Sequence, residues 1–411
     1  MKNSQLLISF CFSLLFLIAC QTSTSSQIDN EPDSLYFNDV TETHIPIDPE
    51  AHILNPVFVD IDKDGDLDVI CALELDENRL YLNDGAGKLS WKKGVFSNVK
   101  HDTEHVRVAD FNNDDKLDVV FVAEDDQNHE YYLGNGDGTF TDVSDRLLSK
   151  SEGNGLDIGD VNGDGLVDIV IGNSGEKGQN FLWLNNKDNP GHFIDATNQN
   201  LPKINDATQS IALADLDDDG DLDMVIGNEI PPNRLLINNG HGIFTERPES
   251  LNLPVPLETR MVLLFDVDND GDKDIVFSNL TSNGRDYEKD PQMRILINDD
   301  KANFKDETAE RMPKNTFSSY ASNYIDFDGD GDLDLLVSTI EIPGFNPLKV
   351  RAYENDGKGF FTDITDKAIP NATVGRGWDI AVGDLNGDGI SDALIGGWGT
   401  QARLLFGRIK K

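Results

Sequence analysis

The sequence predicts an all-β fold assembled from seven copies of one unit, and three observations carry that prediction. Nine-residue acidic windows begin at Asp60, Asp110, Asp160, Asp215, Asp266, Asp326 and Asp384, so successive units start 50 to 60 residues apart. Short β-branched runs flank the windows, as in "HVRVAD" before one and "LDVVFVAE" after it. A third and a fourth apolar stretch then follow, separated by tight-turn sequences such as "NDG" or "NNG". A period of this length marks an architecture in which each unit buries its faces against its neighbours.

The first element is the N-terminal segment, residues 1–20. Lys2 supplies a short basic start, Leu6 to Ile18 an apolar run, and Leu17-Ile18-Ala19-Cys20 stands where cleavage is expected. The run is too short for a comfortable membrane span. This end resembles the bacterial lipoprotein signal, which implies cleavage before Cys20 and diacylation of its thiol. Residues 21–34 read as a polar tether, and residues 35–411 hold the repeats. Beyond Cys20 the only cysteine is Cys71, inside the apolar run "DVICAL". A mature chain of this kind has no intrachain disulfide, and Cys71 is expected to be a buried small hydrophobe.

The 411-residue chain carries a formal charge of −41, which makes nucleic acid and anionic membrane surfaces poor partners. Its acid is concentrated in the windows and alternates with strand-like runs such as "MVIGN", a pattern unlike that of a disordered chain. Aligned, the seven windows have Asp at positions 1, 5 and 9 throughout. Position 3 is Asp in four and Asn in three, position 6 is Gly except at Asp115, and position 7 varies freely. Oxygens at positions 1, 3, 5 and 9, with the backbone carbonyl of position 7, suit a hard cation in a flexible loop, which favours Ca²⁺ over Mg²⁺.

The candidate metal ligands are then as follows. The first loop supplies Asp60, Asp62, Asp64, Asp66 and Asp68, and the second Asp110, Asn112, Asp114, Lys116 and Asp118. The third supplies Asp160, Asn162, Asp164, Leu166 and Asp168, and the fourth Asp215, Asp217, Asp219, Asp221 and Asp223. The fifth holds Asp266, Asp268, Asp270, Asp272 and Asp274, and the sixth Asp326, Asp328, Asp330, Asp332 and Asp334. The seventh holds Asp384, Asn386, Asp388, Ile390 and Asp392. Up to seven calcium ions are expected, the second loop being the weakest because Asp115 replaces its glycine. An EF-hand is excluded: position 12 holds residues such as Cys71 and Ile226 in place of Glu, and the flanks are strands.

Third strands such as "RLYLND" and "RILIND" and fourth strands such as "GTFTDVS" and "GFFTDIT" complete each unit. Seven four-stranded units predict a seven-bladed β-propeller. The last unit stops after "RLLFGRIKK", its third strand, while "YFNDVT" (Tyr36–Thr41) supplies a matching fourth strand. The N-terminal strand is therefore expected to complete the last blade and close the ring.

These units resemble the FG-GAP/VCBS repeats, calcium-binding propeller repeats of integrin α-chain heads, fungal lectins and many bacterial surface proteins. The resemblance covers essentially residues 35–411; Gly-Ala-Pro does not follow the strands, so it points to the bacterial branch. Together with the lipoprotein-like signal it implies a cell-surface or periplasmic protein, lipid-anchored through Cys20 to the outer membrane or cell surface. The expected role is non-catalytic binding of extracellular polysaccharide or a surface protein by a monomer. A polysaccharide lyase and a scaffold subunit of a surface assembly are the alternatives.

Ligands of propellers use the face opposite the metal loops or the central channel. Candidate residues there are His101, Glu104, His105, Arg260, Tyr320, Arg376 and Trp378, with Glu229 and Trp398 from loops between second and third strands. Aromatic rings stack on sugar faces, and Arg or His pairs with uronate or sulfate. In a lyase, His101, His105 or Tyr320 would abstract a proton beside Arg260 or Arg376. Arg107 and Asp157, at equivalent positions of adjacent units, are expected to form an ion pair. No Ser-His-Asp order, HExxH or phosphate loop is present.

Overall fold

The computed structural model describes residues 36–175, 178–230, 232–251, 253, 256–280, 291–342 and 344–408. The signal segment, Cys20 and the tether lie outside them. The chain divides into two units, Met1–Asp33 and Ser34–Lys411, and only the second is described here.

The alternating patterns of the sequence become antiparallel strands in sets of four. In the first set Ile53–Val59, Asp68–Asp76, Arg79–Leu82 and Ser90–Trp91 pair in that order. His101–Ala109 with its three successors follows, and then Gly153–Gly159, Asp168–Asn173, Phe181–Asn185 and Phe193–Asp195. Each acidic window joins the first two strands of its set. The last strands in sequence, Gly377–Gly383, Asp392–Gly397 and Arg403–Gly407, take Phe37–Asp39 as their fourth neighbour.

Single-turn helices that the sequence reading missed follow several fourth strands, and their cause is local. In Asp195-Ala-Thr197, Asp306-Glu-Thr308 and Asp363-Ile-Thr365 the aspartate accepts the threonine N–H at 3.0 Å. The threonine hydroxyl in turn accepts a third-strand N–H, from Leu182, Ile295 and Ala352. The N-terminal Asp39-Val-Thr41 repeats both contacts, with Thr41 reaching Leu404 N–H at 2.9 Å.

Apolar faces are buried between successive sets. Val120 and Tyr131 of one set pack with Ile169 and Trp183 of the next. Ile53, Val69 and Cys71 of the first share a cluster with Ala381, Leu394 and Leu404 near the C-terminus. Cys71 is fully buried, and burial pushes its thiol up to about 12, so it is chemically quiet.

An asparagine at the end of the third strand fastens each of five sets to its predecessor. Asn185, Asn238, Asn298 and Asn355 donate across to the carbonyls of Phe111, Val161, Leu216 and Val267 at 2.7–2.9 Å. Asn83 does the same to Leu385 at 2.7 Å, linking the first set to the last in sequence. Gly134 and Gly407 take this place in the other two sets; a Cβ there would lie 2.0 and 2.4 Å from the carbonyls of Leu117 and Ser391. Asn238→Ala is expected to cost about 1–3 kcal/mol, since it strands the carbonyls of Val161 and Leu222. Urea unfolding of the variant checks this, and an unchanged midpoint would show that water replaces the amide.

Candidate functional site

The acidic loops are built from their own hydrogen bonds. Position 1 accepts the N–H of position 6 through Oδ2, as in Asp215 with Gly220 at 3.0 Å and Asp384 with Gly389 at 2.8 Å. Position 5 accepts the N–H of position 7, as in Asp219 with Asp221 and Asp388 with Ile390. The glycine at position 6 takes φ of 84–106° in six loops, where other side chains are strained.

Position 9 does something the sequence reading did not assign to it. In every loop this aspartate is buried and holds two backbone amides, one per oxygen. Its Oδ2 accepts the N–H of position 2 at 2.9–3.4 Å. Its Oδ1 accepts an N–H from the third-strand end at 2.7–2.9 Å. Burial pushes these carboxyls up, to about 6 for Asp68 and about 7 for Asp223, against the lowering effect of the two amides. Position 9 thus fastens the loop to the sheet whether or not it touches a cation.

In four loops three carboxylates converge closely enough to share a cation. Ligand oxygens of Asp60, Asp62 and Asp64 lie within 4.8 Å of one another, as do those of Asp215, Asp217 and Asp223. The same holds for Asp266, Asp268 and Asp274, and for Asp326, Asp328 and Asp334. Within the loops, buried carboxylate oxygens with no hydrogen-bond partner among the described residues occur at Asp60, Asp62, Asp66, Asp215, Asp217 and Asp268. Orphaned acceptors of this kind fit a bound cation, which would take their lone pairs and offset their mutual repulsion. In the three asparagine loops the amide oxygens of Asn112, Asn162 and Asn386 instead accept the position-5 N–H, at 2.9–3.0 Å.

The expectation about Asp115 needs a different reason. Its backbone takes φ 64° without disturbing the bond to Asp110, so the missing glycine is accommodated. What counts against a cation here is Lys116, whose ammonium lies 3.2 Å from Asp114.

A second feature sits at the other end of the strands. The first strand of every set is interrupted by a register shift, between Thr103 and His105, Gly153 and Gly155, Thr208 and Ser210, and at equivalent places elsewhere. The residues left over are Leu54, Glu104, Asn154, Gln209, Arg260, Tyr320 and Trp378, the last two sharing their bulges with Ala321 and Asp379. A bulge re-aims its side chain, and six of these seven line one cavity of about 500 Å³; Leu54 is buried in the core. Glu74, Glu124, Phe345 and Trp398, near the ends of second strands, complete its rim. The start of the first strand and the end of the second lie opposite the loop that joins them, so the bulged residues stand at the end of the cavity away from the acidic loops, while Leu213, Leu264 and Tyr324 carry its lining toward those loops.

The cavity brings together Glu104, His105, Arg260, Tyr320, Trp378 and Trp398 of the residues singled out from the sequence, and Glu229 is not among its lining residues. Tyr320 and Trp378 stack at 3.7 Å, and Trp398 lies 6.2 Å from Trp378. Arg260 is engaged by Glu258 at 3.1 Å, Gln209 at 2.6 Å and Glu229 at 3.8 Å. Arg107 and Asp157 form an ion pair at 3.2 Å on the wall. His101 and Arg376 are not among the lining residues: His101 pairs with Asp126 at 2.6 Å, and Arg376 donates to the Phe345 carbonyl. Asn154, Gln209, Glu74 and Glu124 went unnoticed in the sequence. A signal for the first two existed, because every bulged residue opening its bulge stands six positions before its acidic window.

Burial, and then Arg107, pull the His105 imidazole down to about 3, while burial pushes the Tyr320 hydroxyl above its ordinary range. Glu104 is held well above the carboxylate range by burial first, then by Glu124, Asp102 and Glu74, with Arg260 acting the other way. A carboxyl raised in this way binds its proton more tightly folded than unfolded. Its contribution is present below the unfolded value of about 4.3 and is lost as pH rises toward the folded one. Glu104→Gln is therefore expected to gain stability over the parent between pH 4 and pH 8. Melting temperatures at the two pH values check it; an equal difference at both would show the carboxylate to be compensated.

Stretches 60–121, 118–171, 160–226, 215–277, 266–337 and 326–395 match the FG-GAP-like repeat, six matches running from the first acidic window past the seventh. Among curated proteins, cartilage acidic protein 1 of Xenopus tropicalis is 30% identical over 196 residues, covering 45% of this chain and 28% of the relative. The Homo sapiens protein of that name is 30% identical over 193 residues, with the same coverage. The chain thus matches under a third of the length of these relatives. Among solved structures, a chain of the crystal structure of BBS1N in complex with ARL6DN, soaked with lead, aligns with a TM-score of 0.56 at 10% identity. It covers 92% of this chain and 98% of that one, a likeness of fold alone.

Proposed function

This chain belongs to the FG-GAP-like repeat family, and from that premise we propose that it is a calcium-stabilised, seven-bladed propeller that binds a ligand in its central cavity without catalysis. Closure of the ring is supported by three contacts between the chain's ends: the pairing of Phe37–Asp39 with Arg403–Gly407, the Asn83–Leu385 latch and the shared core of the first and last sets. Calcium would be held by positions 1, 3 and 5 with the carbonyl of position 7, and by position 9 where its oxygens come near. The ion supplies charge neutralisation and cross-links each loop; the aspartates orient one another through the loop's backbone amides.

The observation that carries the binding role is the cavity lined by bulged residues. A bulge costs ladder hydrogen bonds, and six of the seven bulges point their side chains into the same space. Titrating the protein with polysaccharide fragments and surface-protein extracts while following tryptophan fluorescence tests it. Loss of the response in Trp398→Ala is expected; a response that survives there would move the binding elsewhere.

The lyase reading fits less well. A general base works best with a pKa near the working pH, whereas His105 sits at about 3 and the Tyr320 hydroxyl is raised. Arg260, the residue to neutralise a uronate, is already engaged by Glu258 and Gln209. New ultraviolet absorbance from unsaturated uronate ends would reinstate this reading. Localisation follows the same proposal: with the lipid anchor on Cys20, Cys20→Ser is expected to move the protein from the membrane to the soluble fraction. Unchanged fractionation would remove the anchor from the account.

A further inference from the structure

Five of the seven third strands open on an arginine: Arg79, Arg234, Arg294, Arg351 and Arg403. Four of them meet carboxylates. Arg79 pairs with Asp48 at 2.9 Å and Asp76 at 2.6 Å, and Arg234 with Asp206 and Glu246, both at 2.6 Å. Arg294 and Arg403 lie 3.8 and 3.5 Å from the fourth-strand aspartates Asp306 and Asp39. Arg351 is the exception. It makes no hydrogen bond or ion pair among the described residues, and its guanidinium lies over the Phe317 ring, 5.1 Å from the centre. Asp363, the fourth-strand aspartate of this set, holds the Thr365 N–H at 3.0 Å and does not pair with Arg351.

The first set shows what the sixth lacks. There a tyrosine follows two places after the arginine, in "RLYL", and Arg79 donates to the Tyr81 hydroxyl at 3.1 Å. Asp48, from the segment leading into that set, supplies the carboxylate. The sixth set repeats the arginine and the tyrosine in "RAYE", but the residue that its leading segment sets beside Tyr353 is Asn315. An amide stands where the first set has a carboxylate. Arg351 Nε, the Tyr353 hydroxyl and both polar atoms of the Asn315 side chain are buried, with no hydrogen-bond partner in good geometry among the described residues. Orphaned polar atoms are costly, and a guanidinium beside amide and phenol donors suits a carboxylate. Arg351 is half-buried and Nε is its one nitrogen shut off from solvent without a partner, so the outer edge of the guanidinium reaches the surface. None of Arg351, Asn315, Phe317 and Tyr353 lines the central cavity.

We propose that this niche, between the fifth and sixth sets, receives an aspartate side chain carried on an extended segment of a partner protein, which gives Arg351 what Asp48 gives Arg79. Two observations set the class of ligand. In the first and fourth sets the carboxylate arrives on irregular chain, at Asp48 and Asp206, so the arrangement suits a carboxylate borne by a peptide. The charge of −41 repels a polyacid, which disfavours a uronate chain and leaves a segment with a single carboxylate. The proposal is independent of the cavity reading.

The first arm of the test restores the carboxylate from within. Asn315→Asp is expected to raise the melting temperature by roughly 1–3 °C despite the added charge, and Arg351→Gln to cancel that gain. The second arm titrates the purified protein, in saturating calcium, with capped glycyl-aspartyl-glycine and follows the Arg351 Nε–H resonance, assigned by its loss in Arg351→Gln. The aspartyl peptide is expected to bind at least tenfold more tightly than its asparaginyl counterpart, and Asn315→Asp to abolish that preference. No rise in melting temperature for Asn315→Asp, or the same rise with and without Arg351, would show that the niche is not a carboxylate position and end the proposal. Equal binding of the two peptides, or binding that survives in Asn315→Asp, would overturn it too. Tighter binding of digalacturonate than of the aspartyl peptide would overturn the protein partner.

Discussion

Removal of calcium is expected to cost this protein roughly 3–10 kcal/mol, a large part of the about 5–15 kcal/mol that holds a typical domain together. Extracellular calcium modules bind at about 0.1–1 mM, so each site adds roughly 0.4–1.4 kcal/mol at about 1 mM free ion. Seven loops multiply that contribution, and the carboxylate oxygens left without partners at Asp60, Asp62, Asp215, Asp217 and Asp268 say where the ion's bonds would go. Thermal melting in EDTA and in millimolar calcium measures the effect, and magnesium should restore little of it. Unchanged melting in EDTA would sink the account. Loops with aspartate at position 3 also have it at position 7, so over positions 1, 3, 5, 7 and 9 they carry two more carboxylates than those with asparagine. A calorimetric titration should therefore fill the first, fourth and sixth loops before the third and seventh, with the fifth delayed by Arg311, 3.0 Å from Asp268. The second, with Lys116 against Asp114, should fill last.

The second large effect is local. Asp223→Ala is expected to cost roughly 3–5 kcal/mol, because it frees two buried amides that now make charge-assisted hydrogen bonds. Those bonds run from Leu216 N–H at 3.2 Å and Asn238 N–H at 2.8 Å, and Asp223 itself is fully buried. Asp217→Ala provides the contrast, since its Oδ1 has no hydrogen-bond partner among the described residues and its value lies with the ion. In urea unfolding, the loss caused by Asp223→Ala should persist in EDTA, whereas the loss caused by Asp217→Ala should vanish there. If both losses vanish together, position 9 is only a ligand and its structural role is wrong.

Much of the fold was legible because the chain repeats. Seven windows aligned against one another separate what the loop requires, Asp at positions 1, 5 and 9, from what it tolerates at position 7. The match of "YFNDVT" to the fourth strands rested on the same self-comparison, and Asp39 and Thr41 make the hydrogen bonds that Asp195 and Thr197 make. The asparagine latches were present in the same alignment, as the repeated Asn after "RLYL", "RLLI" and "RILI". Their meaning was hidden because the acceptor belongs to another unit about 75 to 90 residues earlier in four cases, as from Asn238 to Val161.

The cavity was read less well. His101 and His105 are four residues apart in one strand, and nothing in their types says that one lines the cavity while the other pairs with Asp126. Strand alternation alone would set Glu104 and Arg260 by a period of two, and the bulge breaks that period at the positions that matter.

The sequence by itself determined the all-β class, the repeat and the chemistry of the acidic loops, because those depend on residues within ten positions of one another. Only the tertiary structure decided which side chains share the cavity and which carboxylates there have no lysine or arginine partner among the described residues. Glu74, Glu104 and Glu124 come from two units, and Trp378 and Trp398 from a third far along the chain. Their meeting depends on how whole sheets pack and where each first strand bulges, which no local pattern encodes.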